Sequence, residues 1–192
     1  MNTNEDYAKF SNPSELRIVR RLPGPIERVW EYLTDSEKRS RWFCGGQLEQ
    51  RAGGKVVFDM VHKNLAPDEK PPAKYANVHD PGVTFDGRVL KCEPPRLLAY
   101  TFGSDDSEVT IELMPQGDKV VLVLTHRVRG AEEEKELTNY ASGWHIHLDH
   151  LMAQLAGTQR PGFWSLHDRL LGEYEKRRAT ELRRSPFSSP PA

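Results

Sequence analysis

Val83 to Arg127 reads VTFDGRVLKCEPPRLLAYTFGSDDSEVTIELMPQGDKVVLVLTHR. Four β-type runs stand out in it: Val83 to Cys92, Arg96 to Phe102, Ser107 to Met114 and Lys119 to Arg127. The separators are Glu93-Pro94-Pro95, Gly103 to Asp106, and Pro115-Gln116-Gly117-Asp118, all rich in residues that fix or free φ, so each is a turn. Connections this short make consecutive strands antiparallel neighbours in one sheet. Around Glu136 the period changes. Leu137, Ala141, Trp144, Leu148, Leu151 and Leu155 recur at helical spacing, and Gly157 stops the run. A single helix following a meander has that sheet to bury its stripe against. The expected class is therefore α+β, a curved antiparallel sheet wrapped around a long C-terminal helix, with a pocket between the two. Val120 to Leu124 is apolar on both faces, which predicts cover on both sides, one from the helix and the other from the tail or a second subunit.

Upstream, Leu16 to Leu22 alternates apolar and charged positions apart from Val19 and reads as a half-buried strand, stopped by Pro23-Gly24-Pro25. Pro25 suits the first position of a helix in which Ile26, Val29, Trp30 and Leu33 form one stripe. Thr34 and Glu37 have capping-box spacing, so a second short helix is expected, carrying Trp42 and Phe43 inward at its end. Gly45-Gly46 and Gly53-Gly54 bracket a short strand, and Lys55 to His62 is another. Lys63 to Pro81 has no apolar period and is longer than ordinary connections, so it is read as a flap over one end of the sheet. Beyond Pro161-Gly162, Leu166, Leu170 and Tyr174 make a short amphipathic helix, and after Arg178 the composition predicts disorder.

Charge and composition exclude several classes. The chain has 192 residues with 27 Lys+Arg against 28 Asp+Glu, net charge -1, and no extended basic face, so nucleic acid is not an expected partner. No run approaches the roughly 20 apolar residues of a membrane span, and the polar Met1 to Phe10 is no signal peptide, so the expected location is the cytoplasm. Cys44 and Cys92 have no CxxC companion and suit reduced thiols.

The order strand, two helices, meander, long helix resembles the helix-grip fold of START domains and birch-pollen-allergen-like proteins. Four segments carry the resemblance: Pro25-Ile26-Glu27-Arg28-Val29-Trp30, Ser40-Arg41-Trp42-Phe43, Cys92 to Phe102 with its paired prolines, and Gly143-Trp144. They are similar to the branch related to the activator of heat-shock protein 90 ATPase. The resemblance covers roughly Pro13 to Gly157 and implies a fold and a pocket; no motif in it is catalytic. The domain expected is 12–158, followed by an extension at 159–192 made of the short helix and the tail.

Candidate chemistry is sparse. In the cluster His145, His147, Asp149, His150, helical geometry lets only His145 with Asp149, or His147 with His150, share a face. Zinc needs three or four ligands, so no metal and no cofactor is expected. Nothing beside Cys44 supplies a base, and GxSxG, Walker and dinucleotide fingerprints are absent. The reading is a module binding a small, largely apolar molecule without obligatory catalysis. Its expected lining is Trp30, Phe58, Met60, Phe85, Tyr100, Ile111, Leu122, Trp144, His147 and Leu151, with Tyr100 and His147 orienting a polar group. Two alternatives stand beside it: a chaperone-activator-like or regulatory protein partner acting through its surface, and a cyclase or hydrolase using His147 or Asp59 as acid or base.

Overall fold

The computed structural model describes residues 7–184. A short strand, β1 (Lys9–Asn12), unforeseen from the sequence, precedes β2 (Glu15–Pro23). Alternation turns Leu16, Ile18, Arg20 and Leu22 of β2 inward, and all four are buried. Helix α1 (Ile26–Thr34) buries the expected stripe, and α2 (Ser36–Ser40) follows. The cap of α2 is Asp35 rather than Thr34: the Asp35 carboxylate accepts the Lys38 amide at 2.9 Å, while the Thr34 hydroxyl donates back to the Trp30 carbonyl. Between the two glycine pairs the chain forms isolated bridges, Gly45 with Asp59 and Leu48 with Val56, in place of the expected strand. Strand β3 (Lys55–Met60) comes next. The 61–82 segment then makes 3-10 turns at His62–Asn64 and Ala73–Tyr75 and the one-turn α3 (Ala76–His79).

The meander forms as its turns dictate, with β4 (Val83–Glu93), β5 (Leu97–Phe102), β6 (Ser104–Gln116) and β7 (Lys119–Val128). Strand order is β1-β2-β7-β6-β5-β4-β3, antiparallel throughout. β2 pairs β7 from Glu15–Arg127 to Pro23–Lys119, which sets Ile18, Leu124, Ile111 and Leu98 in one buried row across four strands. On the opposite face Val123, flanked in register by Val19 and Glu112, is 2% exposed without a second subunit.

After α4 (Ala131–Lys135), helix α5 (Leu137–Ala156) buries the predicted stripe and much more: thirteen of its twenty residues are buried, Ser142, His145, Ile146 and His150 among them. The reason is α6 (Trp164–Arg184), which packs on α5 and β1. The expected short helix is thus a long one, and residues 179–184, expected to be disordered, are helical. The end of α6 is held by polar groups: Glu181 accepts the Phe10 amide at 2.7 Å, and Arg178 donates to the Pro13 carbonyl at 2.7 Å. Residues 185–192, the rest of that tail, lie outside the described residues.

A polar chain stitches these layers together. The Ala8 amide donates to the Tyr174 hydroxyl at 3.0 Å, and that hydroxyl donates to His145 Nδ1 at 2.7 Å. His145 Nε2 lies 3.5 Å from Asp149, which pairs with buried Arg20 at 3.1 Å. An inward arginine in a strand is tolerated because that carboxylate meets it from the helix. Among the described residues no helix is long and apolar enough to cross a membrane.

Candidate functional site

A cavity of about 330 Å³ opens where the N-terminal half of α5, the 61–82 segment, the ends of β3 to β5 and the first turn of α6 meet. Helix α5 contributes Asn139, Tyr140, Gly143, Trp144 and His147, positions that share one side of a helix. The 61–82 segment adds His62, Tyr75 and Val78; the sheet adds Met60, Val83, Phe85 and Phe102; α6 adds Trp164 and His167, with Phe163 just before it. Phe43, turned inward after α2, closes the bottom. Its ring lies 4.9 Å from that of Trp144 and 5.0 Å from that of His147, and Tyr75 stacks on Trp164 at 5.2 Å and 21°. The floor is buried, whereas Tyr75, Phe85, Phe102, Tyr140 and Gly143 form a half-exposed rim and Val83 opens to solvent.

Eight of the seventeen lining residues are Phe, Tyr or Trp, and none is Lys, Arg, Asp or Glu. The histidines carry no charge at neutral pH either. Burial pushes His62 down to about 4, and burial reinforced by His62 holds His147 well below its ordinary value. Burial also lowers His167, against the opposing pull of Asp168. His147 Nδ1 faces the Trp42 carbonyl at 2.9 Å and therefore donates, which leaves Nε2 as an acceptor 3.4 Å from His62 Nε2. His62 Nδ1 is buried without a hydrogen bond of normal geometry, although the Val78 carbonyl is near enough to favour a proton on that ring. At the rim the Tyr75 hydroxyl donates to Asn139 and the Tyr140 hydroxyl to Glu133 at 3.1 Å. Trp144 is fixed from behind, its Nε1 donating to His126 Nδ1 at 3.1 Å while His126 Nε2 donates to Ser107 at 2.7 Å.

Of the residues expected in the lining, Met60, Phe85, Trp144 and His147 stand on the cavity wall. The other six do not. Phe58 lies one layer behind, stacked on Phe85 at 5.1 Å; Tyr100, Ile111, Leu122 and Leu151 are in the packed core; Trp30 turns away, donating to Gln50 at 3.0 Å. The middle of the sheet is filled by its own side chains, so the cavity is displaced toward β3 to β5 and the flap. Sequence reasoning missed His62, Tyr75, Val78, Phe163, Trp164 and His167, which come from the flap, the strand end before it and the helix after Pro161-Gly162, elements whose apolar pattern did not place them against the sheet. Gly143 carried a signal, since a glycine inside a helix costs roughly 1 kcal/mol against alanine and calls for a reason. Asp59 is exposed, accepts from the Thr84 hydroxyl and does not line the cavity. Cys44 is buried and its thiol is pushed up to about 12 by burial, which leaves it protonated and unreactive. His145 and Asp149 do share a face, but Asp149 is committed to Arg20. Among the described residues no three His, Cys, Asp or Glu side chains are placed to hold a metal ion.

A model of the Activator of Hsp90 ATPase homolog 1-like protein family matches residues 23–156. A Bordetella parapertussis protein solved by NMR is similar at 36% identity, covering 92% of this chain and 95% of its own, with a TM-score of 0.73. CalU16 from Micromonospora echinospora is 26% identical over 88% of each chain, with a TM-score of 0.63. A Rhodobacter sphaeroides protein at 19% identity, covering 79% of this chain and 98% of its own, shares the fold with a TM-score of 0.59. No curated protein matches the chain.

Proposed function

This chain belongs to the Activator of Hsp90 ATPase homolog 1-like family, and from that premise we propose that it binds one small, uncharged, largely apolar molecule, ring-shaped rather than chain-like, in the cavity between α5, the flap and the β3–β5 edge. The observation that carries this reading is the lining, eight aromatic rings and no formal charge around a buried floor. A carboxylate or ammonium group placed there would lose its hydration with no opposite charge to meet it, a cost of several kcal/mol. Flat aromatic walls offer stacking and edge-to-face contacts to a planar guest, each worth about 0.5–1.5 kcal/mol beyond area burial. A volume near the lower end of the roughly 300–1,000 Å³ typical of ligand sites favours a guest of one to three rings. The hydroxyl and amide groups at the rim can meet a single polar substituent.

The surface offers less to a protein partner. Among the described residues the exposed large hydrophobics are Val83, at the cavity mouth, and Met114, far along the meander. The test is direct. Native mass spectrometry of freshly purified protein should show a bound small molecule. Emptied protein should bind the neutral fluorophore N-phenyl-1-naphthylamine with one-to-one stoichiometry, quenching Trp144 and Trp164. Non-saturable binding, or equal affinity for an anionic analogue, would rule the reading out.

A further inference from the structure

The 61–82 segment meets α6 in a way that ordinary packing does not require. The Glu69 carboxylate accepts two amides from the start of α6, Phe163 at 2.6 Å and Ser165 at 2.7 Å. It thereby caps, from another part of the chain, a helix whose first turn forms the cavity wall. Gly162 makes the approach feasible: a Cβ there would fall 2.2 Å from the Ser165 hydroxyl and 3.3 Å from Glu69 Oε1. A few residues on, His79 Nδ1 accepts the Trp164 indole N–H at 3.0 Å, and Tyr75 stacks on the same indole while its edge meets His167 at 4.8 Å. These contacts lie along one seam of the cavity.

The anchoring of the segment is uneven. Its beginning is fixed, for His62, Leu65 and Ala66 are buried. From residue 67 to 82 most positions are exposed or half-buried, with His79 as the buried exception. The turn-forming backbone bonds of 61–82 are all internal, such as Tyr75 to Pro72, Asp80 to Ala76 and Gly82 to Asn77. Apart from its ends, the segment is therefore held to the body mainly by side chains, Glu69, Tyr75 and His79 through polar and ring contacts and Val78 through apolar packing. Low-stability elements of this kind open locally without global unfolding. The two amides keep the Glu69 carboxyl below its ordinary value in spite of the burial that raises it, so the catch is fully charged at neutral pH.

We infer that residues 67–82 form a lid over the cavity, that its closed position is held by the Glu69 carboxylate on the first turn of α6, and that the lid opens to admit and release the guest. The inference rests on the cavity being the binding site. Closing the lid seats Tyr75 and Val78 on the guest and completes the aromatic wall, so a guest that fills the closed cavity is exchanged only as often as the catch lets go. Charge-assisted hydrogen bonds to two amides make that release infrequent.

Glu69→Gln and Glu69→Ala separate lid from cavity. Glu69 is half-exposed, so both variants should keep the fold, checked by circular dichroism. Hydrogen exchange measured by mass spectrometry needs no ligand. Exchange in peptides spanning 67–82 and 162–166 should accelerate roughly tenfold or more, Ala above Gln, with α5 and the β2–β7 pair unchanged. In stopped flow, association and dissociation of N-phenyl-1-naphthylamine should both accelerate by a similar factor, leaving Kd within a few-fold of wild type. Unchanged exchange would overturn Glu69 as the catch. Faster exchange with unchanged probe rates would overturn the lid as the route to the cavity. Wild-type protein that binds no probe would defeat the cavity reading and the lid's role in admitting a guest, while the exchange result would still decide whether Glu69 holds the segment closed.

Discussion

Gly143 sits in the middle of α5, half-buried and on the cavity wall, and a Cβ placed there would meet no heavy atom within 4 Å. Nothing in backbone geometry demands glycine, since its φ is ordinary for a helix. Openness of the cavity is what a larger residue would change. Gly143→Leu is expected to project into that space, lower affinity for a neutral aromatic probe at least tenfold, and leave the protein as stable as before or more stable by about 0.5–1 kcal/mol, because glycine in a helix interior costs that much. Parallel probe titration and urea unfolding check it. Probe binding at wild-type strength would place the guest elsewhere, and a loss of stability would mean the space is not open. Residue identity at this scale was legible only in part. The Gly143-Trp144 pair could be read from the sequence, and Trp144 and His147 follow from their place on the helix. Tyr75, Trp164 and His167 could not be read as wall residues, because each reaches the cavity through a long-range arrangement of turns and helix ends that leaves no local pattern.

An apolar period places an element and gives its type, whereas the full length of α6 and the presence of β1 rest on polar and pairing contacts that leave no such period. The meander, α1 and α5 announce themselves through apolar spacing, which is the same physics that buries them. The end of α6 continues the spacing of Leu170 and Tyr174 into Arg178 and Glu181, polar residues that bond the backbone of the β1–β2 hairpin where an apolar side chain would have given a signal. β1 was missed for the companion reason: four residues long, it is held in place by β2 and by α6. Truncation after Arg178 is therefore expected to cost stability, about 1–3 kcal/mol, through the exposed Phe10 amide and the shortened helix. Truncation after Arg184, which spares both, should leave the melting temperature within error. Thermal melts of the two truncated chains decide this, and equal melting temperatures would show that the Glu181 contact holds nothing.

At the scale of the molecule, the interior has a property that its near-zero net charge conceals: all seven histidines are buried. Burial lowers His62 and His150 to about 4 and His126 to about 3, lowers His147 strongly with the help of His62, and lowers His167 despite Asp168. An unfolded chain takes up protons at these five imidazoles near pH 6.5, whereas the folded chain takes them up only at lower pH, so between those limits the unfolded state binds more protons and stability falls as pH falls. The contribution is complete above about pH 7 and is lost progressively from pH 6.5 toward 4. One pKa unit corresponds to about 1.4 kcal/mol, so several such groups together act on the same scale as the roughly 5–15 kcal/mol that holds a domain folded. The protein should therefore unfold in mild acid, with melting temperature level from pH 8 to 7, falling steeply below 6.5, and the cooperative transition gone near pH 4. Carboxylates held low by partners, such as Glu15 by Ser11 and Arg127 despite its partial burial, act in a lower window, so the pH at which the decline begins tells the two causes apart. Differential scanning calorimetry across that range, with imidazole resonances followed by NMR, measures both. A melting temperature that stays level down to pH 5, or histidines that titrate near 6.5 in the folded protein, would show that the buried imidazoles find compensation that burial and hydrogen bonding do not reveal.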